Sequence, residues 1–166
     1  MKEINHNLLQ DVATANLEIL RLFKNLSLMI TRNDGVVIWE KANFSVNKDS
    51  SIGALTAGLW SASNAIGKAF DISEIGNGGL SYGGACSGII LLPINLNGDV
   101  YAFVLAYKNT LNPSKLKHQF RLMSKHIEYS YNDKVNHELL VCSGKEKTKV
   151  LFKNITDEEI DNLFTL

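Results

Sequence analysis

Apolar residues fall along this chain in two periods, and the switch between them marks out its elements. Leu8, Val12, Ile19, Leu22 and Leu26 stand near helical spacing, which predicts a helix from about Asn5 to about Lys24. Leu26 to Thr31 and Val36 to Trp39 are short runs of branched or aromatic residues, separated by Arg32-Asn33-Asp34-Gly35. Asp-Gly between two apolar runs predicts a β-hairpin, because the tight turn needs residues that tolerate positive φ. Residues 43–51 are polar and predict a loop.

A second helix is expected next, and it is unusual in lacking charge. No charged residue stands between Asp49 and Lys68. Ile52, Leu55, Leu59, Ile66 and Phe70 recur at the spacing of one helix face, which is expected to lie on the chain's own core. The opposite side carries Gly53, Ala57, Trp60, Ser61, Asn64 and Gly67. A solvated helix surface would carry Lys and Glu there, so this helix is expected to be covered on both sides, the second time by another protein. Gly53, Ala57, Trp60, Ser61, Asn64 and Lys68 are therefore the candidate dimer or partner interface. Trp60 stays open to two readings, a core tryptophan or an interface anchor framed by small residues.

Residues 76–88 hold six glycines around a weak strand at Leu80–Tyr82. Gly88 to Ile94 reads as a buried strand with Pro93 close to its end. After a turn at Asn95-Leu96-Asn97-Gly98, Val100 to Tyr107 is apolar on both alternating sets, which predicts a central strand covered above and below. Asn112-Pro113 supplies a cap and a first-turn proline for a last helix. Leu116, Phe120, Met123 and Ile127 form its inner stripe, and Lys115, Lys117, Arg121 and Lys125 its outside. The order is helix, hairpin, helix, three strands, helix. It predicts an α/β chain, more narrowly an α+β sandwich, with a five-stranded, mainly antiparallel sheet and helices on both faces. Residues 1–132 form this domain, and residues 133–166 are expected to be a charged tether ending in an amphipathic helix.

The hairpin Leu28-Met-Ile-Thr-Arg-Asn-Asp-Gly-Val-Val-Ile38 and the helix Ala54-Leu-Thr-Ala-Gly-Leu-Trp-Ser-Ala-Ser-Asn-Ala-Ile66 resemble the roadblock family of dynein light-chain and MglB-like domains. The strand pair Ile89 to Ile94 and Tyr101 to Tyr107, and the helix after Asn112-Pro113, are similar to it as well. The glycine-rich 76–88 segment departs from the family pattern, in which a clearer edge strand would stand. The resemblance implies a roadblock/longin-like fold and a small dimeric platform without catalytic residues or cofactor. It further implies binding to a small Ras-like GTPase and regulation of its cycle, GTPase activation included. The MglB branch sets this in cell polarity and motility.

The tail carries its own pattern. Lys145, Lys147, Lys149 and Lys153 precede Ile155-Thr-Asp-Glu-Glu-Ile-Asp-Asn-Leu-Phe164. Thr156 with Glu159 three residues on forms a capping box, with Ile155 as its staple. Ile160, Leu163 and Phe164 share an edge too small to hold a helix in water alone. Either the tail folds back on its own domain, or Ile155, Ile160, Leu163 and Phe164 dock it on a partner. The string resembles the N-terminal segment of flagellar switch proteins that bind a CheY-type receiver domain. A signalling scaffold that recruits a response-regulator receiver domain is thus the alternative reading.

Charge and composition narrow the remainder. In 166 residues, 17 basic and 17 acidic side chains cancel, which removes the electrostatic case for nucleic acid or an anionic membrane. No apolar run is long enough to insert in a membrane, and the start of the chain lacks a signal-peptide core. Cys86 and Cys142 form neither a disulfide framework nor a metal spacing, so a reduced, cytoplasmic setting is expected. The sequons at Asn25, Asn43 and Asn154 carry no weight in that setting.

No motif makes a convincing active site. Gly84-Ala85-Cys86-Ser87-Gly88 matches a nucleophile-elbow string with Cys for Ser, but an elbow needs a helix after it and a strand follows here. Gly76-Asn77-Gly78-Gly79 stands after a helix and before a strand, the reverse of a phosphate loop. His118 and His126 lie two turns apart, too far for one metal, and His6 and His137 bring no further ligands. Neither catalytic nor metal residues are assigned.

Overall fold

The computed structural model describes residues 4–42, 51–71, 79–110 and 112–151, with side-chain surroundings as far as His137. The chain divides into two units, Met1–Tyr131 and Asn132–Leu166.

Helix α1, His6–Ala15, starts where the Asn5 side-chain oxygen accepts a hydrogen bond from the Leu8 N–H at 3.1 Å. It is shorter than the periodicity predicts. The Asn16 side-chain amide donates to the Val12 carbonyl at 2.9 Å, and the chain tightens into a 3-10 turn over Asn16–Leu20. A side chain that bonds the preceding turn competes with continuing the α-helix. Asn25, at a φ of 56°, then turns the chain into the sheet.

The strands are β1 Leu26–Thr31, β2 Val37–Ala42, β3 Leu80–Gly83, β4 Gly88–Leu96 and β5 Asp99–Tyr107. They form one sheet in the order β2-β1-β5-β4-β3, and each neighbouring pair is antiparallel. The β4–β5 turn is Asn97-Gly98, both at positive φ (57° and 90°), which matches the right-handed twist of its strands. β5 is the central strand, buried along most of its length as its two apolar faces predict.

Alternation along the strands sends side chains to two layers. Ile30, Phe103 and Leu92 are cross-strand partners in one row and face α3, Pro113–Leu151. Phe120 of α3 lies 4.5 Å from Phe103, ring centre to ring centre, and Trp39 meets Phe103 edge-on at 6.4 Å. The predicted inner stripe of α3, Leu116, Phe120, Met123 and Ile127, is fully buried. Asn112 caps this helix by accepting from the Lys115 N–H at 2.9 Å. Near its other buried end, the Tyr131 hydroxyl accepts from the Asn5 N–H at 3.1 Å and ties the start of α1 to this layer. On the opposite sheet face, Met29, Val104 and Leu91 form a row that packs on α2, Ser51–Ala69.

In the second unit the chain is helical to Leu151. The docking residues Ile155, Ile160, Leu163 and Phe164 lie outside the described residues, as do Gly76, Asn77 and Gly78. No helix among the described residues is long and apolar enough to cross a membrane.

Candidate protein interface

Helix α2 meets the sheet with its small side, which corrects the expected orientation. Gly53, Thr56, Ala57, Trp60 and Gly67 are the buried positions. Leu55, Leu59, Ile66 and Phe70, expected on the core, are 69%, 42%, 58% and 73% exposed. The physical reason is the approach distance. Gly35 in the β1–β2 turn holds a φ of +88°, and its backbone lies directly against the first turn of α2. A Cβ on Gly53 would collide with the Gly35 carbonyl, and a Cβ on Gly35 would stand 2.9 Å from the Ala54 Cα. Only a glycine–glycine contact lets helix and hairpin come this close. Farther along, Trp60 fills the space that small neighbours leave, packing with Leu91 and Val104, while Met29 and Leu80 close around them.

Of the interface residues expected from sequence, Gly53, Ala57 and Trp60 are therefore buried within the chain. Ser61 and Lys68 are exposed and Asn64 is half-buried, along one flank of the helix. The accessible apolar surface is instead the outer stripe of Leu55, Leu59 and Ile66, one to three turns apart. Around it Ser51, Gly58, Ala62, Ala65 and Ala69 are exposed and uncharged. A stripe of this kind without Lys or Glu is rare on a solvated helix, which makes it the candidate contact surface.

The sheet extends the same surface. Tyr82 and Ile89 are cross-strand partners, and Ile89 pairs on with Ala106, in the row next to Leu80, Leu91 and Val104. They therefore share the α2 face of the sheet, yet Tyr82 is 79% and Ile89 40% exposed. β3 is an edge strand of four residues, and among the described strands its outer side has no ladder partner. No signal in the sequence marks Tyr82 and Ile89, because a four-residue strand among glycines shows no clear alternation.

The chemical candidates take ordinary places. Cys86 is exposed in the β3–β4 hairpin, whose turn is closed by the Gly84 N–H donating to the Ser87 carbonyl at 2.9 Å. A strand stands on each side of it, which is not the strand-to-helix geometry of a nucleophile elbow. His6, His118, His126 and His137 are exposed. Among the described residues no group of three His, Cys, Asp or Glu is placed to hold a metal ion.

No family model matches the sequence, and no curated relative matches it. Solved structures do match the fold. The chain is similar to Myxococcus xanthus MglB, with 14% identity and a TM-score of 0.63, over 80% of this chain and 94% of that one. An MglB described as having a tetrameric arrangement aligns at 16% identity and a TM-score of 0.62, covering 75% and 91%. The gliding protein MglB from Thermus thermophilus aligns at 18% identity and a TM-score of 0.61, covering 75% and 92%. The fold is thus the roadblock-like fold of MglB.

Proposed function

We propose that this chain is a dimeric regulatory module that binds a small Ras-like GTPase and modulates its nucleotide cycle without supplying catalytic residues of its own. The observation that carries the proposal is the uncharged apolar stripe Leu55, Leu59, Ile66 on the outside of α2, in a fold shared with MglB. Burying that stripe against a second copy removes large apolar side chains from water, which favours association. Tyr82 and Ile89 lie on the same sheet face and extend the contact. The likeness of the fold to MglB supports a GTPase as the partner, and the α2 face is the surface proposed for the contact.

The test is binding of the full chain to the Ras-like GTPases of its source cell, each loaded with GDP or with a non-hydrolysable GTP analogue. The expected result is affinity for one GTPase that differs between the two nucleotide states. Equal binding in both states, or none to any of them, overturns the proposal.

A further inference from the structure

A second surface lies beside α3 and belongs to none of the interface described above. A half-open cleft of about 680 Å³ runs between the outer flank of α3 and the far end of β4. Leu92, Pro93, Val100 and Leu122 supply its apolar walls. Val100 and Leu122 are 44% and 37% exposed there, although each could have been polar at no cost to the core. β3 pairs with β4 only as far as Leu91, so among the described strands residues 92–96 have a ladder partner on one side alone.

The rim is basic. Arg121 and Lys125 are one turn apart on the same side of α3, and both line the cleft. They belong to a longer run: residues 113–127 contain Lys115, Lys117, Arg121 and Lys125 and no acid, until Glu128 at the end of the cleft. The volume suits a few side chains and not the face of a folded domain. The occupant is therefore a peptide with apolar anchors and negative charge.

One segment of this chain has that chemistry. Residues 155–166 contain Asp157, Glu158, Glu159 and Asp161, no Lys or Arg, and the apolar edge Ile160, Leu163, Phe164. No other separate stretch of twelve residues in the chain carries four acids and no base. We infer that the cleft between α3 and β4 receives the acidic C-terminal segment of a second copy of this chain. The apolar edge enters between Leu92, Pro93 and Leu122, and the carboxylates face Arg121 and Lys125. Apolar anchors set the affinity, and the charges set orientation and salt dependence. The inference is independent of the GTPase proposal, because no GTPase enters it.

Photo-cross-linking of the full chain tests it. Phe164 is replaced by p-benzoylphenylalanine, and chains of natural and heavy isotope composition are mixed before irradiation. The expected products join a light and a heavy chain, with the attachment mapped to residues 118–128 or to the β4–β5 hairpin. Arg121→Glu with Lys125→Glu should lower their yield about tenfold, as should raising salt until the charges are screened. Asp157→Lys with Glu158→Lys, which alters no described residue, should do the same from the other side. Mixing the two double variants should restore most of the yield. Three results overturn the inference: attachment elsewhere, which would include capture of an unrelated protein, products within one isotopic form only, or a yield indifferent to both charge reversals.

Discussion

Trp60 is 5% exposed and rests on Leu91 and Val104, with Met29 and Leu80 closing the cluster. It is a core residue on the small-residue face of its helix, so truncation acts on folding before it acts on any partner. Trp60→Ala should lower stability by about 3–5 kcal/mol, measured by urea unfolding. Unchanged stability would show that the indole does not pack on the sheet. Two glycines on the same helix make a sharper contrast. An added Cβ at Gly53 meets the Gly35 backbone, whereas at Gly58 it meets open space. Gly58→Ala should therefore gain up to about 1 kcal/mol from helix propensity alone. Gly53→Ala should destabilise instead, despite the same gain in propensity. Tyr101 reports on pH. Burial first, then the Asp99 charge, hold its hydroxyl above the ordinary 10.0, with Arg32 opposing. The folded chain keeps a proton that the unfolded chain releases. That contribution is complete below about pH 10 and is lost as pH rises from there through the folded value. Tyr101→Phe should flatten this part of the alkaline loss, read from urea midpoints across about pH 8 to 11.

At the scale of the element, α2 is apolar on both sides, and this is why spacing alone assigns it the wrong direction. Periodicity finds the axis of an apolar stripe; it does not choose between a stripe of large residues and a stripe of small ones with a tryptophan. Backbone approach at Gly35 and Gly53 makes the choice, and it turns Leu55, Leu59 and Ile66 outward. Leu55→Glu with Ile66→Glu should then leave the unfolding midpoint nearly unchanged and weaken self-association strongly. Sedimentation equilibrium checks this, and a dimer of undiminished affinity would move the contact to another face. The start of α3 is plainer, because Asn112 and Pro113 signal their roles locally. Asn112→Ala should cost about 1 kcal/mol through the lost bond to the Lys115 N–H. The other end of α3, at Leu151, carries no such local signal in the sequence.

The whole molecule rests on β5, whose two apolar faces need cover from both layers. α1 and the part of α3 up to Tyr131 lie on one side and α2 on the other, which leaves the outside of α2 and the cleft beside α3 accessible. Every fully buried large side chain of the described residues lies between Leu9 and Tyr131. Deleting residues 155–166 should accordingly move the melting temperature of the dilute protein by no more than about 2 °C in calorimetry. A larger fall would make that segment part of the folded core.

The sequence by itself determined the element order, the Asp-Gly hairpin, the central place of β5 and the inner stripe of α3. Each of these depends on local spacing, on turn chemistry, or on a face whose polar side is unmistakable. It also determined that α2 has two faces without charge, more than a single core contact can cover. Which face meets the core was left to tertiary structure, because a glycine's value lies in the backbone that approaches it, and Gly35 is eighteen residues from Gly53. The same holds for the surfaces that only the fold assembles. Tyr82 joins Ile89 through pairing at an edge strand, and Leu92 and Val100 join Leu122, Arg121 and Lys125 across a cleft. Neither juxtaposition leaves a trace in spacing, since the residues meet by pairing and packing between separate elements.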